Sequence, residues 1–446
     1  MYIEGVPTIT GSTMSVTYYF ISDLHIGGEE ALSVCDFEDE LITFLKRLEH
    51  EDGDKELVIA GDAFGLWEYM HISGPEKLNA VIKQFPRIFE AFRSLGKTTK
   101  ITLIPGNHDY ELACYDDCVE ILKPYNVHLE QVTSIIREVG GKKIWIEHGM
   151  QRDPFNTMPQ FGNPFAQPVG FYITTYFVGN AGLYSKLGRY NWLKDLQSVY
   201  PNELVPSWLL SNYFYKEMNP ILRWLLLPFL LLFGLSVFVF AGAALEWLGI
   251  TNTNIFLDNF IFSSLGLVGS LLQLFLIINA VLFVVALIVA VPFFLISRDV
   301  RRTLERFNIL VDEDDLNVQK EENYLNAARD VFEKDPETVI FIYGHTHQPS
   351  LTKLGERVVI NTGTWLKRLD HVPARLLYLP GIFVPSYCLN YFKISEADGQ
   401  IVIDYGVYEK DHGQELDLLQ RMLAARAGVD DKEPIPRRTV LDFSEA

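Results

Sequence analysis

Five short groups of polar residues each follow directly on an apolar segment that is typical of a β-strand. They are Asp23-Leu24-His25, Gly61-Asp62, Gly106-Asn107-His108-Asp109, His148-Gly149 and Gly344-His345-Thr346-His347. Their carboxylate, imidazole and amide groups are ligands suited to Mn²⁺, Fe, Zn²⁺ or Ni²⁺. One such group alone is weak evidence, because a histidine near an aspartate is common by chance. Five in succession, each at the end of a strand, predict a metal centre.

The set contains enough ligands for two ions. A carboxylate such as Asp62 can bridge two ions that lie about 3.5–4 Å apart. A pair of ions lowers the pKa of a bound water and binds the oxygens of a phosphoryl group. The chemistry that these residues predict is therefore hydrolysis at phosphorus.

The segments between the five groups alternate between strand and helix patterns. Strands are predicted at Thr17–Ser22, Glu56–Ala60, Lys100–Ile104, Lys143–Glu147 and Thr338–Tyr343. The spacing of apolar residues predicts helices over Phe37–Leu48, Glu76–Leu95 and Val318–Glu333. Such alternation indicates a layered α/β domain, in which ligands bind beyond the carboxyl ends of the strands. One fold can then bring all five groups together.

In this order the groups resemble the pattern DxH–GD–GNH[DE]–H–GHxH of the calcineurin-like metallophosphoesterases. The resemblance covers about Tyr18–Glu147 and Thr338–Tyr408. It implies a four-layer αββα sandwich with a dinuclear centre, Mn²⁺ being the metal we expect and Fe, Zn²⁺ or Ni²⁺ the alternatives. It also implies attack on phosphorus by a metal-bound hydroxide.

The resemblance further implies a role for each residue of the pattern. His108 would be the general acid or would donate to the attacked phosphate, and Asp109 would orient His108. The ligands it implies are Asp23, His25 and His347 for one ion, Asn107, His148 and His345 for the other, and Asp62 as the bridge.

The second group indicates a subgroup of this family. The segment GDAFGLWEY, which begins at Gly61, lacks the GDxxDRG pattern of the protein phosphatases. It resembles the GD-[LF]-F-x-x-W segment of the UDP-2,3-diacylglucosamine pyrophosphatases, which cleave a phosphoanhydride in a lipid A precursor at the membrane surface. Several of those enzymes have arginine at the position of His108, and the segment between their fourth and fifth motifs is much shorter.

Here that segment contains two apolar stretches, Ile221–Leu245 and Asn259–Ile296, separated by a loop without Lys or Arg. Each is long enough to cross a hydrocarbon core of about 30 Å as a helix. The alternative is a pair of buried helices in a large soluble core. Basic residues flank the pair on both sides, so the positive-inside rule places both flanks in the cytoplasm. These residues are Lys216, Arg223, Arg298, Arg301, Arg302 and Arg306. The N-terminus has no signal-peptide pattern, and we expect a multi-pass protein of the cytoplasmic (inner) membrane with its catalytic domain on the cytoplasmic side.

Four further segments have two readings each. The aromatic-rich stretch Phe161–Tyr215, with Lys186, Arg189 and Lys194, is an interfacial lid that admits a lipid tail, or packing for the inserted helices. Arg152 binds a substrate phosphate or forms an ion pair with an acid. The turn Asn361–Thr364 either lies near the metal site or lies away from it. The apolar segment Leu376–Phe392 either inserts into the membrane–water interface or is a buried loop.

Composition excludes several other classes of protein. Hydrophobic residues are 48% and charged residues 21% of the chain, which excludes a largely disordered protein. The net charge of −19 argues against a nucleic-acid binder, which needs a basic face. Four cysteines are too few for a disulfide scaffold, and the pair Cys114 and Cys118 is only a weak signal for zinc.

The sequence thus predicts a membrane-anchored phosphohydrolase with two divalent metal ions, whose partners are the lipid bilayer and a phosphoester or pyrophosphate in a lipid or lipid-linked nucleotide. One alternative is a membrane-tethered phosphodiesterase or phosphatase that acts on a soluble nucleotide, and another is a catalytically silent membrane scaffold. The expected division is a catalytic domain in two parts (1–155 and 298–412), an interfacial lid (156–220), a transmembrane hairpin (221–297) and a charged tail (413–446).

Overall fold

The computed structural model describes residues 16–29, 35–180, 193, 195–199, 204–256, 260–306, 313–375, 379–410, 416–424 and 434–442. The strands are β1 Thr17–Ile21, β2 Lys55–Ala60, β3 Lys100–Ile104, β4 Val127–Leu129, β5 Ser134–Val139, β6 Lys142–Glu147, β7 Thr338–Tyr343, β8 Ser350–Leu354, β9 Arg357–Asn361, β10 Arg368–Val372, β11 Ile382–Ser386, β12 Leu389–Ala397, β13 Gln400–Tyr408 and β14 Arg438–Leu441. The helices are α1 Glu38–His50, α2 Glu76–Gln84, α3 Pro86–Leu95, α4 Glu111–Cys114, α5 Asp117–Leu122, α6 Val169–Tyr172, α7 Val205–Asn212, α8 Pro220–Trp247, α9 Phe260–Ser263, α10 Gly266–Arg306, α11 Glu313–Lys334 and α12 Leu418–Leu423.

Two mixed sheets form the centre of the molecule. One has the strand order β14-β13-β12-β1-β2-β3-β4 and the other the order β5-β6-β7-β9-β8, and β10 pairs with β11 in a separate hairpin. Strands β1 to β4 run parallel, as do β6, β7 and β9. Parallel neighbours have their carboxyl ends on the same edge, which is where each polar group of the sequence begins.

The period-2 alternation of strand side chains explains how the layers hold together. On β1, Tyr18 and Phe20 pack into the core between the two sheets, whereas Tyr19 and Ile21 pack under α1 and α3. On the far side of the second sheet, α11 packs its buried Tyr324 and Phe332 against β7 and β9. The domain is thus layered as helix, sheet, sheet and helix, as the resemblance implies.

The predicted helix over Glu76–Leu95 is wrong in one respect, because it is two helices. The first ends at Gln84 and the second begins at Pro86. Proline has no N–H for the helical ladder and fits the first turn of a new helix. The apolar segment Leu376–Phe392 was expected to lie in the membrane interface or to be a buried loop. Its described part is buried at Ile382 but is not a loop, because it forms β11, which pairs with β10, and the start of β12.

The two apolar helices α8 and α10 pack against each other. Asn279, near the middle of α10, donates to the carbonyl oxygen of Phe229 at 2.9 Å and to Ser236 Oγ at 3.0 Å. The Phe229 and Phe275 rings meet at 4.6 Å. Within the described residues one stretch, Gly266–Asp299, is long and apolar enough to cross a membrane, and Leu232–Trp247 is a shorter apolar helix. Two membrane spans were predicted, and one helix in the described residues is a candidate span.

A buried ion pair joins the two sheets at the end opposite the polar groups. Arg137 on β5 donates to Glu56 on β2 from Nε at 3.0 Å and from Nη2 at 2.8 Å. We expect Arg137→Ala to lower the free energy of unfolding by about 3–5 kcal/mol, because it leaves the Glu56 carboxylate buried without its main partner. Urea unfolding in detergent measures this. The control is Arg438→Ala, which breaks the more exposed pair with Asp404 and is worth less than about 1 kcal/mol. Equal losses in both variants would contradict the assignment.

Candidate metal centre

The structure brings the five polar groups of the sequence to one place. Asp23 follows β1, Asp62 follows β2, Asn107 follows β3 and His148 follows β6. The last pair, His345 and His347, follows β7. Three sets of their side chains have ligand atoms within 4.8 Å of one another, namely Asp23, His25 and His347, then Asp62, His148 and His345, then His25, Asp62 and His108.

In the first set, three possible ligand atoms lie close together. His347 Nε2 lies 3.1 Å from His25 Nε2 and 3.2 Å from Asp23 Oδ1, and His25 Nε2 lies 3.8 Å from the same oxygen. Ligands about 2.1 Å from a metal ion lie about 3.0–3.4 Å apart around it. The spacing and chemistry of these three side chains fit a divalent cation.

The second set has the same character. His148 Nε2 lies 3.2 Å from Asp62 Oδ2 and 3.1 Å from Asn107 Oδ1. Its other nitrogen, Nδ1, lies 2.9 Å from the carbonyl oxygen of Ala60, which holds a proton on Nδ1 and leaves Nε2 free as a ligand. Asp62 Oδ2 also lies 3.6 Å from His25 Nε2. Asp62 therefore stands between the two sets, as a bridging carboxylate must.

The backbone of this centre is strained. Asp23, His25, Asp62, His345 and His347 have φ angles of 52°, 45°, 50°, 69° and 58°. Residues other than glycine rarely have φ angles in this left-handed region, and each residue held there costs of the order of 1–3 kcal/mol. Strain of this kind persists where a functional geometry requires it.

The loops leave no room for larger residues at two glycines. A Cβ atom at Gly106 would collide with Asp62, and one at Gly344 would collide with Asp23 and Ser22. The turn after β9 contacts the centre, because Thr364 Oγ1 donates to the Asp23 carbonyl oxygen at 2.7 Å. The turn Asn361–Thr364 therefore does approach the site.

The partner of His108 differs from the expected one. Its Nδ1 lies 2.9 Å from Glu68 Oε1, and its ring lies 4.5 Å from the ring of Trp67. The Asp109 carboxylate instead accepts from the backbone N–H of Gly106 at 2.6 Å and of Phe64 at 3.2 Å. The expectation that Asp109 orients His108 is corrected: a fully buried carboxylate satisfies the loop amides, and Glu68 contacts the imidazole.

The charges of the centre shift its pKa values. Burial lowers the pKa of His108, but the adjacent Glu68 carboxylate outweighs burial and raises it to about 9. Burial and then the negative charge of Asp62 raise the pKa of Asp109 to about 7. For Asp62 burial acts upward, yet the neighbouring imidazoles of His148 and His25 hold its pKa well below the usual range.

Arg152 and Asp153, which follow His148 along the chain, each contact another polar side chain. Arg152 Nε donates to Glu147 Oε1 at 3.0 Å and Nη2 to Oε2 at 3.3 Å, and Glu147 is fully buried. The ion-pair reading of Arg152 is thus the one seen, and its contact with a substrate phosphate stays a prediction. Asp153, which the motif pattern does not include, lies with Oδ2 3.1 Å from His345 Nε2.

The segment 165–176 packs against Trp67, which itself contacts His108. Phe171 meets the edge of Trp67 at 5.7 Å, and Thr175 Oγ1 donates to the Trp67 carbonyl oxygen at 3.0 Å. The other side of this segment is exposed and apolar, at Phe165, Val169, Tyr172, Ile173 and Tyr176. The basic residues Lys186, Arg189 and Lys194 lie outside the described residues. The groups of possible metal ligands in the described part of the chain include no cysteine, so the weak zinc signal at Cys114 and Cys118 gains no support.

Comparison with known proteins gives the following similarities. The family model described as calcineurin-like phosphoesterase matches residues 16–241, half of the chain. The DNA polymerase II small subunit of Methanothermobacter thermautotrophicus is 33% identical over 123 residues, which are 24% of this chain and 24% of that protein. The chain thus spans about a quarter of the length of this curated relative.

Solved structures give distant similarities. Wild-type Vps29 of Entamoeba histolytica complexed with Zn²⁺ is 9% identical, with a TM-score of 0.27 over 87% of this chain and 91% of that chain. A conserved Streptococcus pneumoniae protein, assigned as a phosphoesterase, is 10% identical, with a TM-score of 0.28 over 89% of this chain and 91% of that chain.

Proposed function

This chain belongs to the calcineurin-like phosphoesterase family, and we propose that it is a metal-dependent hydrolase that cleaves a phosphoester or pyrophosphate in a lipid or lipid-linked nucleotide at the cytoplasmic face of the inner membrane. The observation that carries the proposal is a row of packed rings that connects the exposed apolar segment 165–176 to the metal centre. Phe171 packs on Trp67, Trp67 packs on His108, and His108 lies 4.5 Å from His25.

The centre would hold two divalent ions, with Mn²⁺ the metal we would supply first. Asp23, His25 and His347 would bind one ion, Asn107, His148 and His345 the other, and Asp62 both. When bound, two such ions lower the pKa of water and neutralise charge on a phosphoryl group. These residues then contribute by holding their ligand atoms at fixed separations before substrate arrives, which costs no reorganisation during the reaction.

His108 is placed to handle a proton beside the reacting phosphate. Glu68 accepts from Nδ1–H, which fixes the ring and leaves Nε2–H to donate to the leaving oxygen. The Trp67 ring packs against the imidazole, with the two ring centres 4.5 Å apart, and supports its orientation. A scaffold without activity would have no need of this arrangement.

The Glu68–His108 contact predicts a specific pH profile. A raised pKa keeps His108 protonated up to about pH 9, and activity that needs the proton is lost as the pH rises through that value. Glu68→Gln removes the charge that raises the pKa, so the basic limb should move to lower pH and kcat at neutral pH should fall about 10- to 100-fold. Rates between pH 6 and 10 at saturating metal test this. A basic limb that does not move would rule out the role of Glu68.

The membrane part of the proposal rests on α10 and on its contacts with α8. Asn279 is buried between the two helices, and polar side chains that bond across helices stabilise such pairs in lipid. We take 221–297 as a transmembrane hairpin that anchors a catalytic domain formed by 1–155 and 298–412, with 413–446 as its tail. The segment 156–220 would then be the lid at the interface.

The substrate we propose resembles UDP-2,3-diacylglucosamine, on the similarity of GDAFGLWEY to that group of enzymes. The exposed apolar side of the lid would contact its acyl chains, while the pyrophosphate reaches the metal centre. A comparison of this lipid in micelles with its water-soluble deacylated form tests the idea. Wild-type enzyme should prefer the lipid by a large factor in kcat/KM.

Lid variants separate the lipid contact from the chemistry. The double variant Tyr172→Ser with Tyr176→Ser should lower kcat/KM for the lipid at least about tenfold, since burying one aromatic side chain is worth about 1.5–3 kcal/mol. Its rate on the deacylated form should be unchanged. The control is Ile136→Ser, an exposed apolar residue of β5. If deleting Arg223–Ile296 leaves a soluble enzyme that prefers an unacylated nucleotide, the alternative of a merely tethered nucleotide hydrolase replaces this proposal.

A further inference from the structure

Asp153 lies at the metal centre although no motif of the pattern contains it. It follows the short turn of helix Met150–Arg152, which itself begins two residues after His148. The Asp153 side chain is only 14% exposed, and its Oδ2 lies 3.1 Å from His345 Nε2. This contact links the loop after β6 to the loop after β7.

The chemistry of that contact fixes the tautomer of His345. An ionised carboxylate can only accept a hydrogen bond, and a neutral imidazole carries one proton. The proton therefore sits on Nε2, and Nδ1 keeps the lone pair. We propose that Asp153 is a positioning residue that holds His345 in the Nδ1-ligand form for the second metal ion, an inference that rests on the proposed metal centre.

The turn itself prepares the Asp153 carboxylate for this task. The backbone N–H of Phe155 donates to Oδ1 at 2.9 Å, and Asn156 Nδ2 donates to Oδ2 at 2.9 Å. Both oxygens are thus held before any contact with His345. The carboxylate does not need to move in order to accept from the imidazole.

The other histidine of the second ion is fixed in a similar way through the opposite nitrogen. His148 Nδ1 contacts the Ala60 carbonyl oxygen, which leaves Nε2 as its ligand atom. The outer partners of metal-binding histidines set ring orientation, and their loss typically costs 10- to 100-fold in metal affinity. The first ion, at Asp23, His25 and His347, has no ligand in contact with Asp153 in the described residues. Loss of Asp153 should therefore affect one ion and spare the other.

The test measures Mn²⁺ binding to the detergent-solubilised full chain, without substrate. Chelator competition gives the two affinities, and electron paramagnetic resonance distinguishes a coupled ion pair from a single ion. In Asp153→Ala we expect one of the two affinities to fall about 10- to 100-fold and the other to stay unchanged, so that a Mn²⁺ concentration that gives the wild type a pair gives the variant a single-ion signal. Asp153→Asn retains an acceptor oxygen and should recover most of the affinity.

The control is Asp335→Ala, which removes a carboxylate that pairs with Lys143 away from the centre. It should bind both ions with nearly wild-type affinity. The proposal is overturned if Asp153→Ala still forms the ion pair at wild-type Mn²⁺ concentrations, or if it loses both ions to the same extent. If Asp153→Ala does not fold, Asp153→Ser replaces it, because its shorter side chain also removes the acceptor oxygen beside His345, and the same two outcomes decide. Failure of the function proposed above is seen separately, as a wild-type chain that binds no ion pair.

Discussion

Asp62→Asn is expected to lower kcat for phosphoester hydrolysis by at least about 1,000-fold, equivalent to about 4 kcal/mol. The Asp62 carboxylate stands between the two sets of ligands, with Oδ2 3.2 Å from His148 Nε2 and 3.6 Å from His25 Nε2. An amide of the same shape has one ligand oxygen and no charge, so it cannot hold two cations close together. The variant should therefore bind fewer than two ions per chain as well as lose its rate.

The measurement combines metal content by mass spectrometry with the hydrolysis rate at saturating Mn²⁺. The control is Asp335→Asn, which removes a carboxylate that pairs with Lys143 away from the centre. That variant should keep its metal and its rate. If Asp62→Asn retained both ions and a rate within tenfold of the wild type, the bridging role would be refuted.

His108→Asn is expected to lower kcat by about 10²- to 10⁴-fold while leaving the metal content unchanged. The second part is decisive, because His108 also lies close enough to His25 and Asp62 to be a ligand. Its Nδ1 is already engaged by Glu68, which favours a role in proton transfer. A rate that falls together with the metal content would make His108 a ligand instead.

The control for this variant is His128→Asn. His128 is an exposed residue of β4 and lies outside every group of possible metal ligands in the described residues. It should behave like the wild type in metal content and in rate. Any loss in this control would show that the assay responds to general damage.

Much of the centre follows from the sequence because strand ends are local features. Each apolar run predicts a strand, each motif follows one, and neighbouring parallel strands place their ends together, so Asp23, Asp62 and Asn107 could be predicted to meet. Left-handed φ angles at Asp23 and Asp62 could not be predicted, because those residue types do not require them. The strain is set by the tertiary arrangement of the ligands.

The contacts that were not predicted are those between loops. Glu68 follows the tryptophan of the second motif, and only the approach of two loops shows that it contacts His108. Asp153 is five positions beyond His148, and its partner His345 lies far along the chain. The sequence did carry one usable signal, an acidic residue within GDAFGLWEY. The break at Pro86 was also readable, since proline rarely continues a helix.

The most direct test of the proposed function is phosphorus NMR of UDP-2,3-diacylglucosamine incubated in detergent micelles with the Mn²⁺-loaded protein, alongside Asp62→Asn. We expect the wild type to convert the pyrophosphate signals into two phosphomonoesters, UMP and the acylated sugar phosphate, while the variant leaves them intact. An intact lipid in the presence of a folded, metal-loaded wild type that hydrolyses a soluble nucleotide would contradict the lipid-linked substrate.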